Sequence, residues 1–278
     1  MAEYNDGVLI GDWYEKIQQK QEVLNTYIRR KEKNLLLTQK TNAVKKNLLR
    51  EVPLHVQPDG ILRYGDTVQI VNPELKVALS NVIQFQDVFN IQNLAAGCVL
   101  SGSFDHTPCV RNVFRLVSMV PSDNEPKPLR FGDDFLLETL HDGSVPLYVQ
   151  SEIPNMNFDT GITNHRKVKL TATRNTYCRW SILAYKKTER EDLLNCVVQA
   201  NVPVRINHSA SNQQLAVEPR LYDTLFDAME HEITVHTYMD IHRFEKIENA
   251  WILFTPPPPR VKPEDSTLQH TDDQLSNE

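Results

Sequence analysis

Glycine and cysteine, which occur in many catalytic and ligand-binding motifs, are scarce in this 278-residue sequence, with only nine glycines and four cysteines. The chain has no G-x-G-x-x-G, no G-x-x-x-x-G-K-[ST] and no G-x-S-x-G sequence. Loops that cradle phosphates or hold a nucleophilic serine are therefore not indicated. The closest two cysteines, Cys98 and Cys109, are eleven residues apart. That spacing fits neither a zinc site nor a small disulfide framework, and it predicts four reduced thiols.

Long apolar segments and an overall basic charge are also lacking. No run approaches the roughly 18–20 apolar residues that cross a bilayer. Residues 1–6 are acidic, unlike the start of a secretory signal peptide. The net charge of −6 argues against a dedicated nucleic-acid binder, whose binding domain is usually basic. We therefore expect a cytoplasmic protein with no cofactor, no small-molecule substrate, and neither a nucleic-acid nor a membrane partner.

Residues 1–52 are predicted to form a helical arm, because no glycine or proline occurs between Gly11 and Pro53. Asp12 and Glu15 have the spacing of a capping pair at a helix start. Apolar residues then recur at intervals of three, four and seven, as they do along one face of a helix. They are Tyr14, Ile17, Leu24, Ile28 and Leu35.

The arm is strongly basic although the whole chain is acidic. Residues 14–50 contain ten Lys or Arg and three Glu, a net charge of +7, which leaves −13 on the rest of the chain. The apolar stripe is thin, since Gln21 and Lys31 interrupt it, so the helix gains little by packing on its own body. A solvated helix lying against the body remains an alternative, but the pattern favours docking on a larger acidic partner.

Residues 53–256 change to short apolar alternations separated by Gly, Pro, Asn and Asp, a pattern typical of β-strands. Four consecutive prolines at 256–259 favour polyproline II and end the fold. Residues 257–278 are polar with few apolar anchors, so they are predicted to be a disordered tail.

The body contains three similar units, near 62–118, 129–185 and 201–255. Two of them open on an aromatic-Gly-Asp sequence, and the third, at 201–206, keeps the apolar alternation without Gly-Asp. The opening residues are Tyr64, Gly65 and Asp66 in the first unit and Phe131, Gly132 and Asp133 in the second. Each unit closes on an aromatic residue in a short apolar strand, namely Phe114, Trp180 and Trp251.

The units keep a constant internal spacing. The separations are 46, 45 and 47 residues for the pairs Val68 and Phe114, Phe135 and Trp180, and Val204 and Trp251. One such unit cannot bury its apolar face alone, whereas three can close a barrel without free edges. The sequence therefore predicts a mainly β, β-trefoil-like body in which the closing aromatic residues pack near a threefold axis. An ordinary β-sandwich with coincidental spacing is the alternative.

The His231-to-His236 segment has the form H-E-x-x-x-H, one residue longer than the zinc-protease pattern. The alternation around it favours a strand, where the odd offset places the two imidazoles on opposite faces. A cluster of His236, Asp240 and His242 around a turn leaves a metal in the 231–242 region open, although structural hydrogen bonding is favoured. We expect no enzyme activity and no catalytic residues.

Two further features suggest contacts with partners. Trp13 precedes the helical stripe and is interpreted either as a docking anchor or as a residue packed on the body. In the 242–246 run, Phe244 is expected to fill the core, with only a minor interaction role for Arg243 and Lys246.

The sequence resembles the cilia- and flagella-associated protein 161 family. The matching segments are Ile10-Gly11-Asp12-Trp13, Asn47-Leu48-Leu49-Arg50, Tyr64-Gly65-Asp66, Leu129-Arg130-Phe131-Gly132, Ile206-Asn207-His208, the 236–246 run and Asn249-Ala250-Trp251. The body is also similar to the trefoil of MIR domains, which share the aromatic-Gly-Asp strand opening.

This resemblance implies a microtubule inner protein of the ciliary axoneme, located in the cytoskeleton. Such a protein would bind the luminal face of tubulin and neighbouring inner proteins, and would stabilise doublet microtubules in beating cilia. We hypothesise that Arg29, Arg30, Lys31 and Lys33 contact the acidic partner while Trp13 anchors the end of the arm. The alternative is a cytosolic ligand- or glycan-binding β-trefoil.

Overall fold

The computed structural model describes residues 9–119, 127–153, 160–226 and 228–257. Helix α1 spans Leu9–Glu32 and helix α2 spans Leu37–Leu48. A mainly β body follows the two helices, as predicted. Most of the tail predicted to be disordered, residues 258–278, lies outside the described residues.

The arm contains two helices and not one continuous helix. Asn34 adopts a left-handed conformation with φ 53°, and the Leu35 N–H donates to the Arg30 carbonyl at 2.8 Å. Asparagine is one of the few residues besides glycine that end a helix in this way. The Gln39 side chain then accepts a hydrogen bond from the Leu36 N–H at 3.3 Å, just before α2 begins. The helical arm is therefore interrupted at 33–36, although no Gly or Pro marks the break.

Within the described residues, thirteen strands follow the arm in three sets. The first set is β1 Thr67–Asn72, β2 Val77–Val82, β3 Val99–Ser103 and β4 Val113–Ser118. The second is β5 Asp134–Thr139, β6 Tyr148–Gln150, β7 Arg166–Lys167, β8 Lys169–Thr171 and β9 Trp180–Ala184. The third is β10 Pro203–His208, β11 Gln213–Asp223, β12 Met229–Val235 and β13 Trp251–Phe254.

Six of these strands close an antiparallel barrel. β1 pairs with β4, β4 with β5, β5 with β9, β9 with β10, β10 with β13, and β13 returns to β1. The pairs β2–β3, β6–β8 and β11–β12 form three further two-stranded units. They contact one another through β3 and β12 and through β3 and β8. This arrangement is a β-trefoil, so the predicted fold class is confirmed.

The constant spacing in the sequence separates two residues that lie opposite each other on paired strands, and this pairing occurs once in each of the three units. Val68 lies opposite Phe114, Phe135 opposite Trp180, and Val204 opposite Trp251. In each unit this pair joins the first barrel strand to the last, and all six side chains are fully buried. The period is therefore set by the length of chain needed to leave the barrel and return to it.

The turn that enters each unit requires a left-handed residue. Gly65 and Gly132 have φ values of 97° and 89°, and a Cβ at Gly132 would lie 2.8 Å from Leu194. In the third unit Asn201 occupies the corresponding position with φ 62°. The N–H groups of Gly65, Gly132 and Asn201 donate to the carbonyls of Leu116, Ile182 and Leu253 respectively. The third unit therefore keeps the turn although it lacks the Gly-Asp sequence.

The segments leading into the three units join in a ring of backbone hydrogen bonds. The Leu62 N–H donates to Val198 O at 3.0 Å, Val198 N–H to Leu129 O at 2.8 Å, and Leu129 N–H to Leu62 O at 2.8 Å. All three side chains are fully buried, so this triangle ties the three units together beside the core.

Candidate partner-binding site

Helix α2 belongs to the body, because its inner face is buried. Val44 and Leu48 are fully buried in the main core. The Asn47 side chain donates to the Gln92 carbonyl at 3.1 Å, and the Arg111 N–H donates to the Leu48 carbonyl at 3.2 Å. This part of the arm therefore follows the alternative interpretation, a helix lying against its own domain.

Arg50, one of the ten basic residues of the arm, is held by the body. Its guanidinium donates to both carboxylate oxygens of Asp142 at 2.5 and 2.7 Å. This hydrogen bonding raises the pKa of Arg50 and lowers the pKa of Asp142. Arg50 therefore positions the end of the arm, and its charge is already paired.

Helix α1 is different, because its side chains are exposed along the helix. From Trp13 to Glu32 each side chain is exposed except the half-buried Ile17. Trp13 is 66% exposed, so it does not pack on the body. A helix of 24 residues is about 36 Å long. The exposed apolar side chains along it are Trp13, Tyr14, Val23, Leu24, Tyr27 and Ile28.

Val23 and Tyr27 extend the apolar face beyond the stripe seen in the sequence. Together with Leu36, at the start of α2, they line a groove of about 590 Å³. Glu22 and Arg30 stand at the same groove. The sequence stripe omitted Val23 and Tyr27, although their spacing of four residues is helical. The bend at 33–36 then brings Leu36 beside them.

The four basic residues named from the sequence surround the end of α1. Arg29, Arg30 and Lys31 form its last turn and point about 100° apart around the axis, while Lys33 follows the helix. All four are exposed, and none forms an ion pair with another residue in the described part of the chain. Cations here also complement the negative end of the helix dipole. They therefore present a positively charged end, and not a single flat basic face.

The structural residues named from the sequence lie around the barrel. Trp180 and Trp251 are fully buried, and each indole N–H donates to a backbone carbonyl at 2.9 Å, of Val149 and Leu215 respectively. The Asp66 carboxylate accepts from the Arg63 N–H at 2.7 Å. The half-buried Asp133 donates its backbone N–H to the Arg130 carbonyl at 3.2 Å. The remaining members of this set, described already or packed against the same core, are Tyr64, Gly65, Phe114, Phe131 and Gly132.

Tyr64, at the opening of the first unit, lies close enough to Asp133 of the second unit for the two to interact electrostatically. Burial raises the pKa of Tyr64 to about 12, and the nearby carboxylates of Asp133 and Asp134 act in the same direction. Tyr64 therefore stays a neutral phenol at physiological pH. Its role here is in packing, together with the partly buried Phe131.

The histidines of the 231–242 region do not converge on one site. His231 lies on β12 and its Nδ1 contacts the Glu218 carbonyl at 2.7 Å, whereas His236 stacks on His165 with ring centroids 3.9 Å apart. The Asp240 carboxylate accepts backbone hydrogen bonds. Among the described residues, no group of three His, Cys, Asp or Glu side chains has an arrangement that could hold a metal ion.

The four cysteines are all free thiols. Burial raises the pKa of Cys98, Cys109 and Cys178, which keeps these three thiols protonated and unreactive. Cys196 is exposed.

A cavity of about 220 Å³ lies between the β2–β3 and β11–β12 hairpins. It bears on the alternative of a ligand-binding trefoil. Its walls are mostly aliphatic or aromatic, which suits an apolar group better than a sugar. The apolar lining residues include Val82, Phe85, Leu100, Ile162 and Ile233.

The expectation that Phe244 fills the core is wrong. Phe244 is 68% exposed, because the chain between β12 and β13 turns away from the barrel. Its aromatic character suggested burial, and the signal for a surface turn was Asp240, whose side chain can cap the backbone of the residues that follow.

Fold and site together define a β-trefoil protein that carries an exposed apolar and basic helix suited to binding a partner. No helix among the described residues is long and apolar enough to cross a membrane. The SDF2-like protein from Arabidopsis thaliana has a similar fold, with a TM-score of 0.51 and 12% identity, covering 71% of this chain and 99% of that one.

Sequence relatives identify the family. A family model described as a cilia- and flagella-associated protein 161-like domain matches residues 40–256. Cilia- and flagella-associated protein 161 of Danio rerio is 27% identical over 268 residues, covering 92% of this chain and 89% of that protein. The Mus musculus protein is 28% identical over 278 residues, covering 91% and 88%. The chain therefore belongs to the cilia- and flagella-associated protein 161 family.

Proposed function

We propose that this chain is a structural microtubule inner protein of ciliary doublet microtubules. It binds the luminal tubulin surface and neighbouring inner proteins, and it stabilises the axoneme in beating cilia. The proposal includes no catalytic role.

The observation that carries this proposal is the exposure of α1. A free helix with this much apolar surface gains little stability by itself, so a partner that covers it gains both apolar burial and ion pairs. Tubulin is acidic, which complements the basic end of the helix. Weak contacts repeated along a periodic lattice then add through avidity.

Retention of the tagged protein in motile cilia tests the proposal. Axonemes are extracted with detergent and then with rising salt, and the protein is quantified in pellet and supernatant. Wild type should remain with the doublets. Replacing Arg29, Arg30, Lys31 and Lys33 by Glu should release it at lower salt, because like charges then face an acidic surface.

A matched variant with the same change in net charge provides the control. Lys46, Lys76, Lys127 and Arg220 are exposed and belong to parts of the chain other than α1, so their replacement by Glu should leave retention unchanged. Equal release of both variants would indicate a general charge effect. Free extraction of the wild-type protein would refute the structural role.

A further inference from the structure

The segment between β12 and β13 presents large apolar side chains to solvent. We refer to residues 239–247 as the 239–247 loop. Ile241 is 93% exposed and Phe244 is 68% exposed, and Met239 and Ile247 are also exposed. Exposed apolar residues clustered within nine consecutive positions are unusual, and such patches commonly mark interaction sites.

The tip of the loop is held by local hydrogen bonds. The Asp240 carboxylate accepts from the N–H groups of His242 and Phe244, both at 2.8 Å. The Asp240 N–H donates to the Phe244 carbonyl at 2.9 Å, and the Arg243 N–H donates to the Asp240 carbonyl at 3.0 Å. Arg243 adopts φ 63°, a conformation that costs free energy for a side chain other than Gly or Asn. The tip is therefore a defined turn.

The base of the loop is anchored to the barrel by buried charges. Arg205, only 2% exposed, donates to the carbonyls of Lys246 at 2.6 Å and Glu245 at 3.1 Å. The Glu245 carboxylate accepts from Arg190 and from Gln214, both at 2.5 Å. A loop fixed at tip and base loses little conformational freedom when it binds a partner.

A groove of about 610 Å³ separates this loop from the turn at 186–188. Tyr185 lies in it with the Arg205 guanidinium 4.3 Å from its ring centroid, and Phe244 forms part of the opposite wall. Lys187 and Arg243 line the groove and form no ion pair with any residue in the described ranges. The one lining carboxylate, Glu245, is neutralised by Arg190 and Arg205. The groove is therefore aromatic and positively charged.

We propose that the 239–247 loop and the 186–188 turn form a docking surface for an acidic polypeptide segment that carries an apolar side chain. The apolar side chain contacts Phe244 and Ile241, and the carboxylates pair with Lys187 and Arg243. Phe244, Lys187 and Arg243 line one concave groove, which offers a polypeptide apolar and ionic contacts together. Ile241 protrudes beside it and would also suit a bilayer, so vesicle binding is one outcome of the test. The surface is distinct from α1, so the proposal goes beyond the function proposed above and does not depend on tubulin.

Fluorescence anisotropy with the full chain and labelled twelve-residue peptides tests this docking surface. Four peptides are compared. Three contain Phe and Leu, surrounded by glutamates in the first, by serines in the second and by lysines in the third. The fourth contains glutamates only. The peptide with both apolar and acidic residues should bind at least about tenfold more tightly than each of the others, because hot-spot contacts typically have that effect.

Two variants of the loop give complementary outcomes. I241S/F244S should weaken binding of the acidic apolar peptide by about tenfold or more. K187E/R243E should reverse the charge preference, so that the lysine-containing apolar peptide becomes the tighter ligand. The variant F89S changes an exposed phenylalanine elsewhere and should bind like wild type, and circular dichroism checks that all variants are folded.

The controls separate this proposal from the role of α1. Replacing Arg29, Arg30, Lys31 and Lys33 by Glu should leave peptide binding unchanged; if binding is lost there and kept in the loop variants, the docking surface is refuted. No binding of the acidic apolar peptide would also refute it. Flotation with vesicles of phosphatidylcholine and phosphatidylserine supplies the last comparison. Vesicle binding that is lost in I241S/F244S, without peptide binding, would assign the loop to a membrane surface instead.

Discussion

Trp251 combines complete burial with a hydrogen bond from its indole N–H to the Leu215 carbonyl. Replacing it by Ala removes the ring and leaves that carbonyl without its donor, so we expect a loss of about 3–5 kcal/mol in the free energy of unfolding. Chemical denaturation followed by circular dichroism measures the change. Trp13→Ala, at an exposed position, should leave the midpoint unchanged, and equal stability of Trp251→Ala and wild type would contradict the trefoil core.

His208 makes stability depend on pH. It is fully buried, with Nε2 2.9 Å from the Tyr177 carbonyl and Nδ1 2.8 Å from Ser211 Oγ. Burial lowers the pKa of His208 below its ordinary value of 6.5. The unfolded chain then binds more protons than the folded chain at acidic pH, so the free energy of unfolding falls as the pH drops below about 6.5.

Denaturant titrations at pH 7.5 and 5.5 test this dependence. His208 should contribute a loss of up to about 1.4 kcal/mol between the two values. H208Q removes the titrating group, so the difference between the two pH values should shrink by that amount even if the variant is less stable throughout. H242Q, at an exposed position, should reproduce the wild-type difference. A pH dependence identical in H208Q and wild type would show that His208 does not carry it.

At the scale of elements, the two helices of the arm differ in stability. α2 is fixed by buried Val44 and Leu48, whereas α1 is exposed and an isolated helix is marginal in water. Trypsin should therefore cut first after one of the residues Arg29, Arg30, Lys31 and Lys33, where local opening of the helix requires little free energy. Limited digestion followed by mass spectrometry should give an early fragment that begins within residues 30–34. Early cleavage in the barrel at a comparable rate would contradict this order.

The elements also show which parts of the structure the sequence could predict. The threefold spacing predicted the trefoil because one cross-strand pair repeats in every unit, and its aromatic members are large enough to be recognised. The third unit was harder, since Asn201 replaces glycine in the left-handed turn and only the backbone conformation shows that equivalence. The break between the two helices at Asn34 was not predicted for the same reason, because an asparagine and not a glycine adopts the left-handed conformation there.

The candidate sites were predicted less completely than the fold. Periodicity indicated an apolar stripe on α1, but it could not show that α2 folds back onto the body while α1 stays exposed. Phe244 was wrongly predicted to be buried, because the sequence shows that the residue is aromatic but does not show whether its turn faces the core or the solvent. The contacts of Arg205 and Glu245 that set this direction link residues about 40 apart in the chain, beyond the reach of local patterns.

For the whole molecule, the net charge of −6 is the sum of a basic segment, residues 14–50, and an acidic remainder. The family model begins at residue 40, so it covers the trefoil and most of α2 but not α1. The barrel thus provides a rigid frame, while the two proposed contact surfaces, α1 and the 239–247 loop, are added to it at separate places. Two such surfaces on one frame can engage two different neighbours.

The closed ring of six barrel strands has a consequence for assembly. Every strand of that ring already has a neighbour on both sides, so another copy cannot join it by strand addition. In the role proposed above, copies along a microtubule would therefore not be spaced by one barrel extending the next. Their spacing would instead follow from contacts made by other surfaces, such as α1 and the 239–247 loop.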